Sequence, residues 1–400
     1  MKKISLYVML FVVVYGSIEL LANCGLILLK KYVYLDYYPN DVLSERHASA
    51  INELIDLKSN NYTIYSSSLG WTIKPNDVSK LYQANAAGIR STKNYTKIPE
   101  KGILRMSSYG DSYTHCDDVS NDETWQIYIE NSDAKLEVIN FGVGGYGTDQ
   151  SFLRYLETTN QYKTDYVLIG YMTENLARNV NTFRPFYVPM SGLPLTKPRF
   201  LVKNDTLTLI PNYMRKLDEY KNILNNPQGV TRKLGVNDYF YNNGYQSNIF
   251  DWSPILRILK IAKKIVKLKF TDNAINKNGI YNENSEAFIV TSKLIDEFYN
   301  RVINDGAIPI ILVFPHNKDI ARYQSNDKKQ YLPLIKYFDS KGFKYIDLMD
   351  VLGDKDMEEL FNGHYSPYAN GLVASKILSY IKNIDEYKFV RFKTEKRIID

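Results

Sequence analysis

The chain has little cysteine and little histidine. Its 400 residues include two cysteines and four histidines. Cys24 lies in a long apolar run, so Cys116 is the only cysteine of the soluble part of the sequence. An intrachain disulfide in that part is therefore excluded. No histidine and carboxylate spacing matches a metal motif such as His-Glu-x-x-His, and we expect neither a metal nor a cofactor.

The chain also has only a small excess of one sign of charge over the other. The formal net charge is +6, and the six basic residues between Arg257 and Lys269, with no acidic residue among them, account for that excess. A general nucleic-acid-binding surface is therefore not expected. An apolar content of 44% and a charged content of 24% are typical of a folded protein. Abundant Tyr, Lys, Asn and Ile indicate an AT-rich bacterial genome.

One long hydrophobic run lies at the N-terminus. Residues 4–29 carry a single charge, Glu19, and a membrane-spanning helix needs about 20 apolar residues. A cleaved signal peptide is the alternative, but the run exceeds an h-region of roughly 7–15 residues and no small-x-small site follows it. We therefore expect an uncleaved membrane anchor.

The flanking charges bear on the orientation of this anchor. Lys2 and Lys3 precede the run and Lys30 and Lys31 follow it, so the positive charges are balanced. A short basic head before a first helix usually stays in the cytosol, and long domains cross the membrane despite their charge. We expect a single-pass protein with residues 32–400 outside the cytoplasm.

From residue 102 onward, short apolar strands alternate with stretches of helical spacing. This alternation predicts an α/β domain with five parallel strands and helices on both faces of the sheet. The predicted strands are 102–109, 136–141, 166–170, 308–314 and 343–348, and the predicted helices are 123–130, 148–156, 287–302, 328–338 and 367–381.

The alternation stops at about 171–285 and then resumes. More than 100 residues are too many for a structureless loop, so we interpret this segment as an inserted cap or lid. The predicted organisation is an anchor at 1–31, a stalk and lead-in strands at 32–100, the α/β domain with its insertion at 101–385, and a C-terminal tail at 386–400.

Residues suited to acyl chemistry follow several of the predicted strands. Gly110-Asp111-Ser112 follows the first strand, Asn140–Gly145 the second, Asn175 the third and His364 the fifth. The carboxyl ends of parallel strands share one edge of a sheet. A serine nucleophile, a histidine base and amide donors at that edge would attack an ester carbonyl. Each segment alone is equally consistent with a turn, a loop or a helix cap, and it is their order that favours an active site.

Four segments resemble the four sequence blocks of SGNH (GDSL-type) hydrolases. The resemblance implies a flavodoxin-like, doubly wound, five-stranded parallel sheet and cofactor-free ester hydrolysis or acyl transfer. It makes Ser112 the nucleophile and His364 the base, with Gly145 N–H and the Asn175 side chain as oxyanion donors beside the Ser112 N–H. The segments are Ser108–Thr114, Asn140–Gly147, Gly170–Asn175 and Gly363–Pro367, and 69–75 with 88–90 are similar to the lead-in strands of a membrane-anchored bacterial branch.

The third block departs from the family pattern. Asn175 lies five residues after Gly170, where the family has Gly-x-Asn. Asn179 is therefore an alternative oxyanion donor.

The fourth block lacks the family's aspartate two or three residues before the histidine. Asn362 lies two residues before His364. The amide oxygen of Asn362 could fix the imidazole tautomer but supplies no charge. The alternatives are a backbone carbonyl, Asp354 or Asp356 in its place, or weak or absent activity.

Residues 252–270 in the insertion form a basic stretch with helical spacing. Apolar residues recur on one arc and Arg257, Lys260, Lys263, Lys264 and Lys267 fall on the opposite arc. One interpretation is a lid helix with its apolar face on the core and its lysines in solvent. The other is a helix that contacts an anionic membrane surface.

These features together predict a membrane-anchored, extracytoplasmic serine esterase that acts on an acyl ester, with O-acyl groups of a surface glycan as candidates. An acyltransferase would use the same acyl-enzyme. A non-catalytic surface-assembly or binding protein on the same scaffold is the alternative from another class, because Asn362 replaces an acid.

Overall fold

The structure is a computed structural model that describes the backbone of residues 2–56 and 62–396, with side-chain environments for 3–56 and 62–384. Residues 57–61 of the predicted stalk and 397–400 of the predicted tail lie outside the described residues.

Two stretches of secondary structure lead up to the insertion. The first comprises α1 (Lys2–Leu28), a π-helical turn (Leu29–Val33), α2 (Glu45–Ile55), β1 (Thr63–Ser66) and β2 (Gly70–Ile73). The second comprises β3 (Leu104–Tyr109), α3 (Ser112–His115), a 3₁₀ turn (Asn121–Glu123), α4 (Trp125–Ser132), β4 (Leu136–Asn140), α5 (Thr148–Thr158) and β5 (Tyr166–Met172).

The insertion is structured throughout and the C-terminal stretch completes the sheet. The insertion contains α6 (Asn175–Arg178), α7 (Arg184–Tyr187), β6 (Arg199–Lys203), β7 (Thr206–Ile210), a 3₁₀ turn (Leu217–Glu219), α8 (Tyr220–Asn225), α9 (Pro227–Gly235), α10 (Tyr239–Asn243), α11 (Pro254–Phe270), β8 (Asn276–Lys277) and β9 (Ile280–Tyr281). After it come α12 (Glu286–Asn304), β10 (Ile308–Phe314), α13 (Asn317–Asn326), α14 (Leu332–Lys341), β11 (Tyr345–Asp347), α15 (Met349–Leu352), α16 (Met357–Leu360), β12 (Phe361–Asn362), β13 (His364–Tyr365) and α17 (Pro367–Lys396).

The large sheet has five parallel strands in the order β4-β3-β5-β10-β11. Numbered along the chain, this order is 2-1-3-4-5, the flavodoxin-like arrangement. The predicted fold class, a doubly wound five-stranded sheet with a large insertion and an N-terminal apolar helix, is confirmed. Strand order reverses between β3 and β5, and ligands bind beyond the strand ends at such a point.

Helices cover both faces of the sheet. Helices α4 and α17 pack on each other and against the sheet, and α5 packs with α12 on the opposite side, as right-handed crossovers require. Every residue of β5 is buried, and so is β10 from its second residue onward. The core therefore lies on both faces of β5 and β10.

Buried ion pairs attach the insertion to the sheet domain. Lys197 pairs with Asp149, which lies in the first turn of α5, and both side chains are almost fully buried. Arg199, at the start of β6, pairs with Glu286 in the first turn of α12. Removing one partner of such a pair would leave a buried charge uncompensated. The insertion is thus fixed over the helices on one face of the sheet.

The segment predicted as a stalk also packs against the insertion. The Asn40 N–H donates to Tyr245 O at 2.8 Å, and Ser247 Oγ donates to Asp41 at 2.9 Å. Ile51 of α2 is fully buried. The amphipathic pattern of 45–55 therefore reflects packing on the domain rather than a free-standing stalk. At the other end, α17 runs on to Lys396, so the backbone of most of the predicted tail is helical.

Candidate active site

Ser112 begins the short helix α3 directly after β3. Asp111 caps this helix, since its side chain accepts from the Tyr113 N–H at 3.0 Å. A side chain on Gly110 would place Cβ 2.0 Å from Thr114 Oγ1, so glycine lets α3 turn back at the strand end. Ser112 is 4% exposed, and its hydroxyl has no hydrogen-bond partner among the described residues. The Ser112 hydroxyl therefore makes no hydrogen bond that stabilises the fold among the described residues.

The loop after β4 lies against α3. Val143 N–H donates to Gly110 O at 3.1 Å, and the Asn140 side chain accepts from the Gly142 N–H at 2.9 Å and reaches His115 O at 3.4 Å. A Cβ on Gly142 would lie 2.3 Å from the His115 nitrogen. The predicted glycine-rich block thus packs on the helix that carries Ser112.

Two backbone amides at this edge have no acceptor. Across residues 3–56 and 62–384, no group accepts a hydrogen bond from the N–H of Ser112 or of Gly145. Gly145 has a φ of +79°, a conformation that favours glycine. Unpaired N–H groups beside a nucleophile suit the oxyanion of a tetrahedral intermediate. The arrangement agrees with the predicted donor role of Gly145, which stays a prediction.

A buried polar network joins the loops after β3, β4 and β5. Arg178 Nη1 donates to Asp111 Oδ2 and to Tyr146 O, both at 3.1 Å. With its amide oriented to satisfy the same neighbours, Asn175 donates to Asp111 Oδ2 at 3.1 Å and to Tyr146 O at 3.3 Å. The three strand-end loops therefore meet, as the sequence predicts.

This network changes the interpretation of Asn175. Both hydrogens of its amide are directed at protein acceptors, so Asn175 is not a free oxyanion donor in this conformation. The alternative donor, Asn179, is also fully buried, and its amide nitrogen donates to Thr291 Oγ1 at 2.9 Å. The two backbone amides remain as the donors without a competing acceptor.

His364 lies on β13 and is held by Asp118. The Asp118 carboxylate lies 2.7 Å from His364 Nδ1 and accepts from the His364 backbone N–H at 3.2 Å. The His364 ring packs edge-on against Tyr113 with 5.3 Å between ring centroids, which places it beside the residue that follows Ser112. No hydrogen bond joins the Ser112 hydroxyl to His364 among the described residues. With Nδ1–H bound to a carboxylate, Nε2 keeps the lone pair that a general base needs.

The prediction that Asn362 orients His364 is corrected by this contact. Asn362 is exposed, and the nitrogen it was expected to bind is occupied by Asp118. Neither of the other candidate carboxylates reaches the ring. Asp354 pairs with the adjacent lysine, and Asp356 caps α16.

Gly363 makes the approach of Asp118 possible. A Cβ at Gly363 would lie 2.3 Å from Asp118 Oδ2, and its φ is +82°. Asp118 itself has a φ of +68°, which aspartate tolerates better than most residues. The turn between β12 and β13 therefore requires glycine at position 363, because a side chain there would occupy the position of the Asp118 carboxylate.

Comparisons with known proteins found matches among solved structures. No protein-family model matches the sequence, and no curated protein matches it. Among solved structures, the chain is similar to a lipolytic protein of the G-D-S-L family from Desulfitobacterium hafniense, with 11% identity over 69% of this chain and 99% of that chain and a TM-score of 0.34. It is also similar to a G-D-S-L family protein from Veillonella parvula (11%, 69% and 97%, TM-score 0.34) and to the esterase EstA from Pseudoalteromonas sp. (11%, 70% and 98%, TM-score 0.34). At these values no residue role passes from those proteins to this chain.

Strand order decides the fold. The chain has a flavodoxin-like, doubly wound fold. The carboxylate that contacts His364 comes from the loop after α3 and not from the residues that precede the histidine.

Asp118 left one signal in the sequence. An acidic pair, Asp117-Asp118, follows α3 after one intervening residue, Cys116. The position is 246 residues away from the histidine, and the contact depends on two residues with positive φ. Neither the long-range contact nor the two positive φ angles can be predicted from the spacing of residues in the sequence.

The other histidines near this candidate site have structural contacts. His115 is buried, with Asp117 at 2.5 Å from Nδ1 and the Tyr62 hydroxyl at 3.2 Å from Nε2. Burial, reinforced by Arg90, lowers the pKa of His115. His316 caps α13 and accepts from a backbone N–H at 3.4 Å. Both nitrogens of His115 are engaged, so it is not a second candidate base.

Charged residues around the network have shifted pKa values. Burial raises the pKa of Asp111 to about 6, although Arg178 opposes the shift. Burial would also raise the pKa of Glu174, but Arg178 and Arg184 outweigh it and lower that pKa to about 2. The site therefore loses the negative charge of Asp111, and keeps that of Glu174, as the pH falls through about 6.

Metal ligands are not grouped in the described part of the chain. Residues 3–56 and 62–384 contain no set of three His, Cys, Asp or Glu side chains placed to hold an ion. The two cysteines are free, and burial raises the pKa of Cys116 to about 12.

Replacing Gly363 by alanine is expected to lower kcat/KM by about 10²-fold or more, because Cβ would displace Asp118 and a 1 Å misplacement costs about that much. Turnover of p-nitrophenyl acetate measures it. Gly306 is the matched control, since its φ is +85° and nothing lies within 4 Å of its Cβ position. Gly306→Ala carries the same backbone strain and should keep activity. Equal activity in both variants would refute the role of the Asp118 contact.

Proposed function

We propose that this protein is a serine ester hydrolase in which Ser112, His364 and Asp118 form the catalytic triad. The observation that carries the proposal is the 2.7 Å contact of Asp118 with His364 Nδ1 beside the Ser112 turn. The case for a non-catalytic scaffold rested on the missing acid before His364. Asp118 supplies a carboxylate at that nitrogen and removes the reason for preferring the scaffold.

The proposed chemistry has two halves. Ser112 Oγ attacks the acyl carbonyl carbon while His364 Nε2 takes the hydroxyl proton, and Asp118 stabilises the imidazolium that forms. The Ser112 and Gly145 N–H groups bind the oxyanion. His364 then returns the proton to the departing alcohol oxygen, which leaves an acyl-serine. Water releases the acid in a hydrolase, and a sugar hydroxyl takes the acyl group in a transferase.

We further propose that the enzyme is anchored in the membrane and acts outside the cytoplasm, with O-acyl groups of a surface glycan as substrates. Among the described residues, one helix, Lys3–Val33, is long and apolar enough to cross a membrane. Contacts between α1 and α11 favour an anchor that stays attached, because cleavage would break them. The glycan is proposed from this location alone.

A fluorophosphonate probe and p-nitrophenyl acetate test the catalytic proposal on the full chain in detergent. Labelling of Ser112 together with ester turnover supports an enzyme. A folded protein that shows neither would support the non-catalytic scaffold instead. Adding a glycan acceptor and measuring acyl-glycan against free acid separates transfer from hydrolysis.

The proposed topology predicts activity for a reporter that works only outside the cytoplasm and is fused after Asp400. The full-length fusion should also stay in the membrane fraction, since 4–29 are expected to remain uncleaved. A fusion that lacks residues 2–31 is the control and should be inactive. Reporter activity confined to the cytoplasm would overturn the orientation, and a mature N-terminus near residue 24 or 30 would overturn the anchor.

A further inference from the structure

An apolar surface lies on the insertion beside the N-terminal helix. We name it the apolar edge and define it by five exposed side chains, Ile249, Phe250, Trp252, Leu256 and Leu259. The first three are 83%, 56% and 63% exposed. Exposed apolar groups gathered this closely usually mark an interaction site.

Several apolar residues of helix α11 lie outward, contrary to the arrangement of a lid helix. Ile261 is its one fully buried residue, whereas Leu256, Leu259, Val266 and Phe270 are exposed at helical spacing. A helix on the surface of a soluble protein buries its apolar stripe. The lid interpretation, in which the apolar face packs on the core, is therefore corrected.

Three basic residues of α11, Arg257, Lys260 and Lys264, contact the protein. The Arg257 guanidinium lies 5.7 Å from the centre of the Tyr37 ring, and the Lys264 ammonium lies 5.7 Å from that of Tyr245. Lys260 donates to Gln246 O at 2.9 Å. Cation and ring contacts of this kind are favourable and hold the helix with this face inward. The outward apolar face is thus a consequence of specific packing.

The start of α11 is attached to α1. Ser253 Oγ donates to Glu19 at 2.6 Å, and the Ile255 N–H donates to the same carboxylate at 3.3 Å. Tyr15 OH also donates to Glu19 at 2.6 Å. Farther along, the Cβ position of Gly25 lies 3.6 Å from Ile258 Cδ1. The carboxylate sits at the positive end of α11, where a helix favours negative charge.

The position of Glu19 sets the depth of this contact. Glu19 stands 16 residues after Lys3, which is a rise of about 24 Å along an α-helix. The hydrocarbon layer is about 30 Å thick. If Lys3 lies at the cytoplasmic boundary, Glu19 and the N-terminus of α11 lie inside the outer leaflet. A carboxylate at that depth is costly unless it is hydrogen-bonded, as Glu19 is.

We propose that the apolar edge inserts into the outer leaflet next to α1 and forms a second membrane contact of the domain. Continuity with α1 and the outward apolar face of α11 support lipid as the occupant. Lys263 and Lys269 are exposed on the same helix and suit anionic headgroups. The proposal rests on the proposed anchor and is independent of the ester chemistry. A second copy of this chain is the competing occupant.

Tryptophan fluorescence tests the proposal, because the three tryptophans differ in exposure. Trp71 is 1% and Trp125 is 0% exposed, whereas Trp252 lies on the apolar edge. The full chain is reconstituted into phosphatidylcholine and phosphatidylglycerol vesicles with brominated or ordinary acyl chains. We expect brominated lipid to quench roughly a third of the emission, the share of one tryptophan in three. Trp252→Phe should abolish that quenching, and its fold is checked by circular dichroism.

Each other outcome overturns the proposal in a distinguishable way. Vesicles that float with the protein but show no quenching leave the anchor standing and reject the apolar edge as a lipid contact. Crosslinking between copies without quenching assigns this surface to a second copy of the chain. Quenching that persists in Trp252→Phe comes from another tryptophan. Protein that does not float with vesicles rejects the anchor itself. Ester turnover is unaffected by any of these results.

Discussion

Ser112→Ala is expected to lower ester turnover by at least 10³-fold, because the variant has no atom that forms the acyl-enzyme. Deletion of the nucleophile in a serine protease costs about 10⁶ in kcat, and the residual rate comes from the oxyanion donors and substrate binding. The same substitution should abolish labelling by a fluorophosphonate. Turnover of p-nitrophenyl acetate and mass spectrometry of the labelled chain measure the two effects.

The fold should survive this substitution. Ser112 Oγ has no hydrogen-bond partner in the described part of the chain, so alanine leaves no buried group unpaired. Ser107→Ala is the matched control, since Ser107 is also buried and lies on β3. It should keep turnover and labelling. Wild-type activity in Ser112→Ala with an unchanged melting temperature would mean that the nucleophile is another residue.

Asp118→Asn is expected to lower kcat by about 10⁴-fold, the size of the equivalent substitution in a serine protease. An amide at this position donates as well as accepts, which favours the wrong imidazole tautomer, and it supplies no charge for the imidazolium. KM should change little, because the interaction strengthens in the transition state and not in the substrate complex. Steady-state kinetics on the full chain separate the two parameters.

A reciprocal substitution tests which residue serves His364. Asn362→Asp should leave kcat unchanged or lower it, because Asp118 already holds Nδ1 and a second carboxylate would repel it. Introduced into Asp118→Asn, the same change should not restore activity, since the Asn362 side chain points to solvent. A rise in kcat on Asn362→Asp alone would show that position 362 is the partner in solution and that the Asp118 contact is not used.

The sheet and the meeting of its loops were predictable from the sequence, whereas the acid was not. Five apolar strands separated by helical spacing define a doubly wound sheet, and residues after parallel strands must share an edge. The acid depends on a long-range contact between the loop after α3 and the turn at Gly363. That contact is set by two backbone conformations and one missing Cβ, and these are properties of the folded chain.

The orientation of helix α11 is a second feature that the sequence pattern did not predict. Its periodicity correctly predicts a helix, and the extent agrees within two residues. The pattern predicts one apolar and one basic face, but it does not predict which of the two packs against the protein. That choice depends on Tyr37, which precedes the sheet domain, and on Tyr245 in the loop before α11, whose rings contact Arg257 and Lys264. Apolar spacing identifies a buried face only when the partner is the protein's own core.

The hydrogen bonds of Glu19 also carry a consequence for the order of events during synthesis. Ser253 follows Glu19 by 234 residues, so at 5–20 residues per second the ribosome needs roughly 10 to 50 s to make the partner after the anchor has emerged. On the proposed topology, α1 enters the bilayer with its acid hydrogen-bonded to Tyr15 alone, and the acid gains the Ser253 and Ile255 donors only when the exported domain folds. The extracytoplasmic domain therefore supplies the last hydrogen bonds that stabilise α1 in the membrane. A chain that stalls before residue 253 would leave α1 without them.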